Sequence, residues 1–128
     1  MAKYLLDTTA LIDHLRGRQE VVNVIRGLVY EGHQLGACCV NIAELYSGLR
    51  EKDQTKADRF VDSLEVYEVT RDIAKQAGRY RFGFARKGIT LSVADTIVAA
   101  AAISHSATLI TANVKDYPME EISLLEQP

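Results

Sequence analysis

The 128-residue chain has only 2 cysteines and 2 prolines, and no tryptophan. The cysteines, Cys38 and Cys39, are neighbours. Successive residues on a strand point to opposite faces, so an ordinary disulfide between them is not expected. No other cysteine exists to complete a zinc site of the usual Cys/His spacing. Both read as small buried hydrophobes in a reducing compartment. The prolines, Pro118 and Pro128, lie near the end, which leaves the body free of proline breaks. Long apolar runs are also missing. The strongest, residues 96–103, is far too short to span a bilayer, so no membrane association is expected. No long apolar region precedes Asp7, which argues against a secretory signal and for a cytoplasmic protein. Positive charge is not in excess: the net charge of −2 argues against coating nucleic acid by bulk electrostatics. It leaves room for a local basic rim around an acidic centre. No repeat, linker or low-complexity tract divides the chain, and its length fits one domain, residues 1–128.

What is present is an alternation of strand and helix patterns. Residues 3–6 form a short apolar opening strand. Residues 9–16 carry Ala10, Leu11, Ile12 and Leu15 in a helical pattern. Residues 20–30 continue it with Val21, Val24, Ile25, Leu28 and Val29, and Gly32 serves as a stop. Residues 35–39 read as a second strand, 42–49 and 56–64 as helices, and 65–69 as a third strand. Residues 71–86 form a long helix with Ile73, Ala77, Tyr80 and Phe84 on one face, and Lys75, Arg79 and Arg86 largely away from it. An alanine-rich helix at 92–105 precedes a fourth strand at 107–111 and a candidate fifth at 122–125. His14, His33 and His105 fall at or near helix ends without ligand spacing, so acid–base catalysis by a histidine pair is not expected. The alternation predicts an α/β fold of three layers, α/β/α, with a mainly parallel central sheet of four to five strands. Such sheets place their sites beyond the carboxyl ends of the strands, where strand order reverses.

Acidic residues stand at that edge. Asp7 follows the first strand directly. Glu44 comes just after the second, Asp95 in the first turn of the alanine-rich helix, and Asp116 in the loop after the fourth strand. Each has a plainer role available. Asp7 can cap a helix, and Asp116 can be a turn aspartate. Asn41-x-x-Glu44 and Ser92-x-x-Asp95 match a capping box in outline. Separate caps, however, need not share one edge of one sheet. Gathered carboxylates repel one another, and a divalent cation removes that conflict. Oxygen-only ligands favour Mg²⁺ or Mn²⁺ over zinc. Such an ion can orient a water, lower its pKa and stabilise a phosphoryl group in transfer. Asp7 and Asp95 are the first candidates as direct or water-bridged ligands, with Glu44 and Asp116 completing the set. Glu44 is a candidate for positioning the nucleophilic water. Thr9, Thr111 and Asn113 are candidates for orienting ligands or water. If the acids repel, Asp7→Asn and Asp95→Asn should leave the fold at least as stable.

The segments bearing these acids resemble those of the PIN-domain nucleases. They are Leu5-Leu6-Asp7-Thr8-Thr9-Ala10-Leu11-Ile12-Asp13, Val40-Asn41-Ile42-Ala43-Glu44-Leu45-Tyr46-Ser47-Gly48, Leu91-Ser92-Val93-Ala94-Asp95-Thr96-Ile97-Val98-Ala99-Ala100-Ala101-Ala102, and Ala107-Thr108-Leu109-Ile110-Thr111-Ala112-Asn113-Val114-Lys115-Asp116-Tyr117. Any one is a weak signal, while the ordered set is specific. The length resembles that of the VapC toxins of bacterial and archaeal toxin–antitoxin pairs. The resemblance implies Mg²⁺- or Mn²⁺-dependent endoribonuclease activity on structured RNA, often transfer RNA. It implies a homodimer and a cognate VapB antitoxin whose tail blocks the acidic site. Residue by residue, Asp7, Glu44, Asp95 and Asp116 match the family's acidic quartet. Thr9 matches its hydroxyl two residues after the first acid, and Asn113 the polar neighbour of the last. Thr96 departs from the small or apolar residue more common after the third acid, a change expected to leave metal binding intact.

Basic side chains fall in two groups: Arg79, Arg81, Arg86 and Lys87 on and just after one helix, and Arg50, Lys52, Lys56 and Arg59 on another stretch. Both can approach RNA phosphates, and both also fit a solvated helix face with surface ion pairs. Tyr46, Tyr80 and Phe82 fit base stacking or a dimer interface, as well as plain packing. A Mg²⁺-dependent phosphotransferase with an aspartyl nucleophile also places an acid after its first strand. It wants a second aspartate at the position of Thr9. Receiver domains lack a match for similar reasons. A non-catalytic partner-binding or DNA-binding component is a further alternative, against which the intact acidic set argues.

Overall fold

The computed structural model describes residues 1–128. The chain runs β1 (Lys3–Leu6), α1 (Thr8–Leu15), α2 (Gln19–Tyr30), β2 (Gln34–Cys38), α3 (Cys39–Ser47), α4 (Gln54–Asp62), β3 (Glu65–Tyr67), α5 (Arg71–Ala85), α6 (Val93–Ser104), β4 (Ala107–Thr111) and β5 (Ser123–Glu126). Single 3-10 turns lie at Glu51–Asp53 and Val114–Asp116. The five strands are all parallel, in the order β3-β2-β1-β4-β5. β1 sits at the centre, with Leu5 opposite Gly36 on one side and Leu109 on the other. The chain winds outward from β1 through β2 to β3, then crosses back to β4. Strand order therefore reverses between β1 and β4, which opens a crevice at their carboxyl ends.

Alternation along β1 and β4 explains the layers. Leu5 and Leu109 point into one apolar cluster, which is built on α5 and α6. Leu6 and Ile110 point into the other, built on α1 to α4. All four side chains are within 1% of complete burial, as strands covered on both faces require. The helix starts are equally local in origin. Thr70 accepts from the Ile73 amide to cap α5, and Ser92 accepts from the Asp95 amide to cap α6. The expected stripe of α5 is present: Ile73 and Ala77 are buried, with Tyr80 and Phe84 packed beside them.

The structure departs from the sequence reading in three places. Residues 9–16 and 20–30 do not form a continuous helix, because the chain turns at Gly17, whose φ of +76° favours glycine. α3 begins at Cys39 and not at residue 42, so Asn41 lies inside the helix and caps nothing. The early start also turns Cys39 outward: Cys38 is buried, Cys39 is exposed, and both are free. The reading of two buried cysteines therefore holds for Cys38 alone.

Candidate active site

Asp7 is the first residue past β1 and the cap of α1. Its amide donates to the Ile110 carbonyl (3.0 Å), which carries the β1–β4 ladder one residue further. The buried side chain then receives four donors. Oδ1 accepts from the Thr8 amide (2.9 Å) and Asn41 Nδ2 (3.1 Å). Oδ2 accepts from the Thr111 hydroxyl (2.7 Å) and the Tyr117 hydroxyl (2.9 Å). A carboxylate has about four acceptor positions, so Asp7 is saturated.

Asp95 arrives from the other side of the crevice, in the first turn of α6. Its Oδ1 lies 3.3 Å from the same Tyr117 hydroxyl. Burial first, and then the charges of Asp7 and Asp116, raise the Asp95 pKa above the ordinary aspartate value, against the lowering effects of Ser92 and Tyr117. Asp116, in the 3-10 turn after β4, is thus close enough for its charge to be felt. Burial and the negative charge of Asp7 and Asp95 push the Tyr117 hydroxyl far above its usual range, so it stays protonated and acts as a donor. It has one proton for two carboxylates.

Glu44 is exposed at the rim. Its Oε1 accepts from the Thr8 hydroxyl (2.6 Å), which itself accepts from Asn41 Nδ2 (3.1 Å). One asparagine amide thus joins Glu44 to Asp7 through Thr8. Asn41 is fully buried, and its Oδ1 has no partner. Thr111 is tied to Asp7 directly and accepts from the Asn113 amide (3.0 Å), so Asn113 acts through its backbone while its residue is exposed. Thr9 points elsewhere: its hydroxyl donates to Gln127 Oε1 (3.1 Å).

The basic residues are exposed. The Arg81 guanidinium donates to the Leu91 carbonyl (3.0 Å), just before α6. Arg86 lies over the Phe82 ring and Lys87 over Phe84. Arg79 reaches only Gln76, its neighbour on α5. Of the second basic group, Arg50 and Lys56 border a groove of about 750 Å³ that also takes in Glu44, Leu45, Leu15 and Arg16. No three His, Cys, Asp or Glu side chains come close enough to hold an ion among themselves. That donor set does not suit a closed protein cage. A pair of carboxylates such as Asp7 and Asp95 would leave most positions around a hard cation, Mg²⁺ or Mn²⁺, to water.

Asn41, Thr8 and Tyr117 were not singled out from the sequence as site residues. Asn41 carried one signal, a polar residue between apolar Val40 and Ile42. Its helical register, and hence its direction, depends on where α3 begins.

The PIN domain family model matches residues 4–117. The chain is similar to Ribonuclease VapC19 of Mycobacterium tuberculosis, with 34% identity over 117 residues covering 90% of this chain and 92% of that protein. It is similar to Ribonuclease VapC2 of Rickettsia felis at 25% identity over 119 residues, covering 89% of each. Among solved structures, its fold matches a chain of the DNA-bound VapBC2 complex from Rickettsia felis with a TM-score of 0.87 at 23% identity, covering 98% of this chain and 99% of that one. It matches a chain of the DNA-bound VapBC complex from Salmonella typhimurium with a TM-score of 0.86 at 20% identity, over the whole of both chains.

Proposed function

Because the chain belongs to the PIN-domain family, and within it to the VapC proteins, we propose that it is the ribonuclease toxin of a VapBC pair, an endoribonuclease that depends on Mg²⁺ or Mn²⁺. The carrying observation is that Asp7 and Asp95, 88 residues apart in sequence, meet at one hydroxyl in the crevice where strand order reverses. Residues 1–128 act as one nuclease domain in this reading.

Asp7 and Asp95 would hold the ion, directly or through water, and Asp116 would add negative charge beside them. When bound, the ion supplies a water of lowered pKa and charge stabilisation at the phosphoryl group. Asn41, Thr8 and Thr111 hold Asp7 in one orientation. Thr8 also holds Glu44 through one carboxylate oxygen, which leaves the other available to accept a hydrogen bond from an attacking water. Of the adjacent threonines, Thr8 touches the acids, and Thr9 contributes by anchoring Gln127 beyond β5. Thr111 passes the Asn113 backbone's hold to Asp7. Arg16, Arg50 and Lys56 along the groove, and Arg79, Arg81, Arg86 and Lys87 on the α5 side, would take RNA phosphates.

The expected substrate is structured RNA, with transfer RNA first. The expected partners are a VapB antitoxin and a second copy of the chain. Exposed Phe82, Ile89 and Val93 leave apolar side chains for a protein partner to cover. The expected location is the cytoplasm; no helix is long and apolar enough to cross a membrane.

The test is cleavage of total transfer RNA by the purified chain with Mn²⁺ or Mg²⁺, with EDTA, and with Asp95→Asn prepared identically. Cleavage by the wild type alone, abolished by EDTA, is the expected result. Equal cleavage by Asp95→Asn would point to contamination or to another centre, and no cleavage with either metal would favour a binding role.

A further inference from the structure

Tyr117 lies at the centre of the acidic site, and no part of the mechanism above uses it. Its hydroxyl is 2.9 Å from Asp7 Oδ2 and 3.3 Å from Asp95 Oδ1, and the residue is 3% exposed. The other donors to Asp7 are the Thr8 amide, Asn41 from α3 and Thr111 from β4, and none of them reaches Asp95. Tyr117 alone touches both carboxylates. Every acceptor position of Asp7 is filled, so an ion coordinated directly by Asp7 must displace one donor. An ion shared with Asp95 must displace the one between them.

Resting on the metal site proposed above, we infer that the Tyr117 hydroxyl stands in the place of the cation: it holds Asp7 and Asp95 together when no ion is bound, and it competes with the ion. One O–H dipole satisfies one carboxylate at a time, whereas a divalent ion attracts both. The ion therefore prevails, but its affinity is reduced by the hydrogen bond it must break. Tyr117 is in this sense a positioning residue that sets how tightly the site takes its metal. Its ring packs in the cluster beneath α6, and phenylalanine keeps that packing.

The experiment measures Mn²⁺ binding to the full chain by paramagnetic resonance of the free ion and by calorimetry. Tyr117→Phe should bind Mn²⁺ about tenfold more tightly, the scale of one hydrogen bond to a charged group. Thr111→Val removes a donor from the same Asp7 oxygen but leaves the gap to Asp95 filled, and should bind no more tightly than wild type. Adding Mn²⁺ to the wild type should also perturb the tyrosine ultraviolet spectrum, and Tyr117→Phe should lack that change. A wild type that binds Mn²⁺, beside a Tyr117→Phe that binds equally or more weakly, would overturn the inference. So would Mn²⁺ binding by the wild type without a tyrosine signal, a result that stands even if the variant does not fold. No Mn²⁺ binding by any of the proteins would remove the metal site and this inference with it.

Discussion

At the scale of single residues, the two central aspartates differ in what surrounds them. Asp95 is half-buried and faces the charges of Asp7 and Asp116, and its pKa is raised from 3.8. Between that ordinary value and the raised one, the folded chain holds more of the Asp95 proton than the unfolded chain. The group's contribution to stability thus falls as pH rises through this window and levels off above it. Asp95→Asn should flatten that fall and be at least as stable as wild type at neutral pH, because Ser92 caps the helix through the Asp95 backbone. Asp7→Asn should differ. Its carboxylate accepts four hydrogen bonds, and an amide oxygen can accept only two of them, so the substitution should cost about 1–3 kcal/mol. Urea denaturation in EDTA, from about pH 4 to about pH 7, separates the two. An Asp7→Asn as stable as wild type would mean that its hydrogen bonds contribute little. The sequence made the four acids legible by their positions after strands. It did not distinguish Asp7 from Asp95, because the donors to Asp7 come from α1, α3, β4 and the turn after β4.

At the scale of elements, α6 shows how composition becomes geometry. Ala99, Ala100, Ala101 and Ala102 are all within 2% of full burial, and the helix packs among α5, the sheet and the residues after β4. Small side chains let α6 approach closely, which brings Asp95 to Tyr117. Ala101→Leu barely changes helix propensity, so its effect should come from packing. Overpacking is expected to cost about 1–3 kcal/mol, read as a lower urea midpoint. It should also weaken Mn²⁺ binding by moving Asp95. An unchanged midpoint would show that the interface has room. Alanine richness made close packing legible in advance. The start of α3 was not legible, because Cys38 caps it without a side-chain hydrogen bond. That three-residue difference is what turned Asn41 from a supposed cap into a buried partner of Asp7.

At the scale of the whole molecule, Gln127, just past β5, closes back onto α1. The Gln127 amide donates to the Thr111 carbonyl (2.8 Å). Its buried side chain accepts from Thr9 and donates to Asp13 Oδ2 (2.5 Å), which also pairs with Arg18 (3.1 Å). These contacts bind the edge strand β5 to α1 beside the acidic crevice. Gln127→Ala should lower stability by about 1–2 kcal/mol, read as a lower urea midpoint. An unaltered midpoint would mean that β5 is held by its ladder to β4 alone.

By itself, the sequence determined the layered parallel fold, the edge that carries the acids and the family. These follow from local patterns: apolar runs for strands buried on both faces, helical stripes, caps, and the ordered acidic segments. Only the tertiary structure decided which of those acids meet, through which donors, and which of the adjacent threonines faces the site. Side-chain direction past a strand end depends on helix register and on contacts more than 100 residues apart, such as Thr111 and Tyr117 on Asp7 (separations of 104 and 110). No local pattern encodes those contacts.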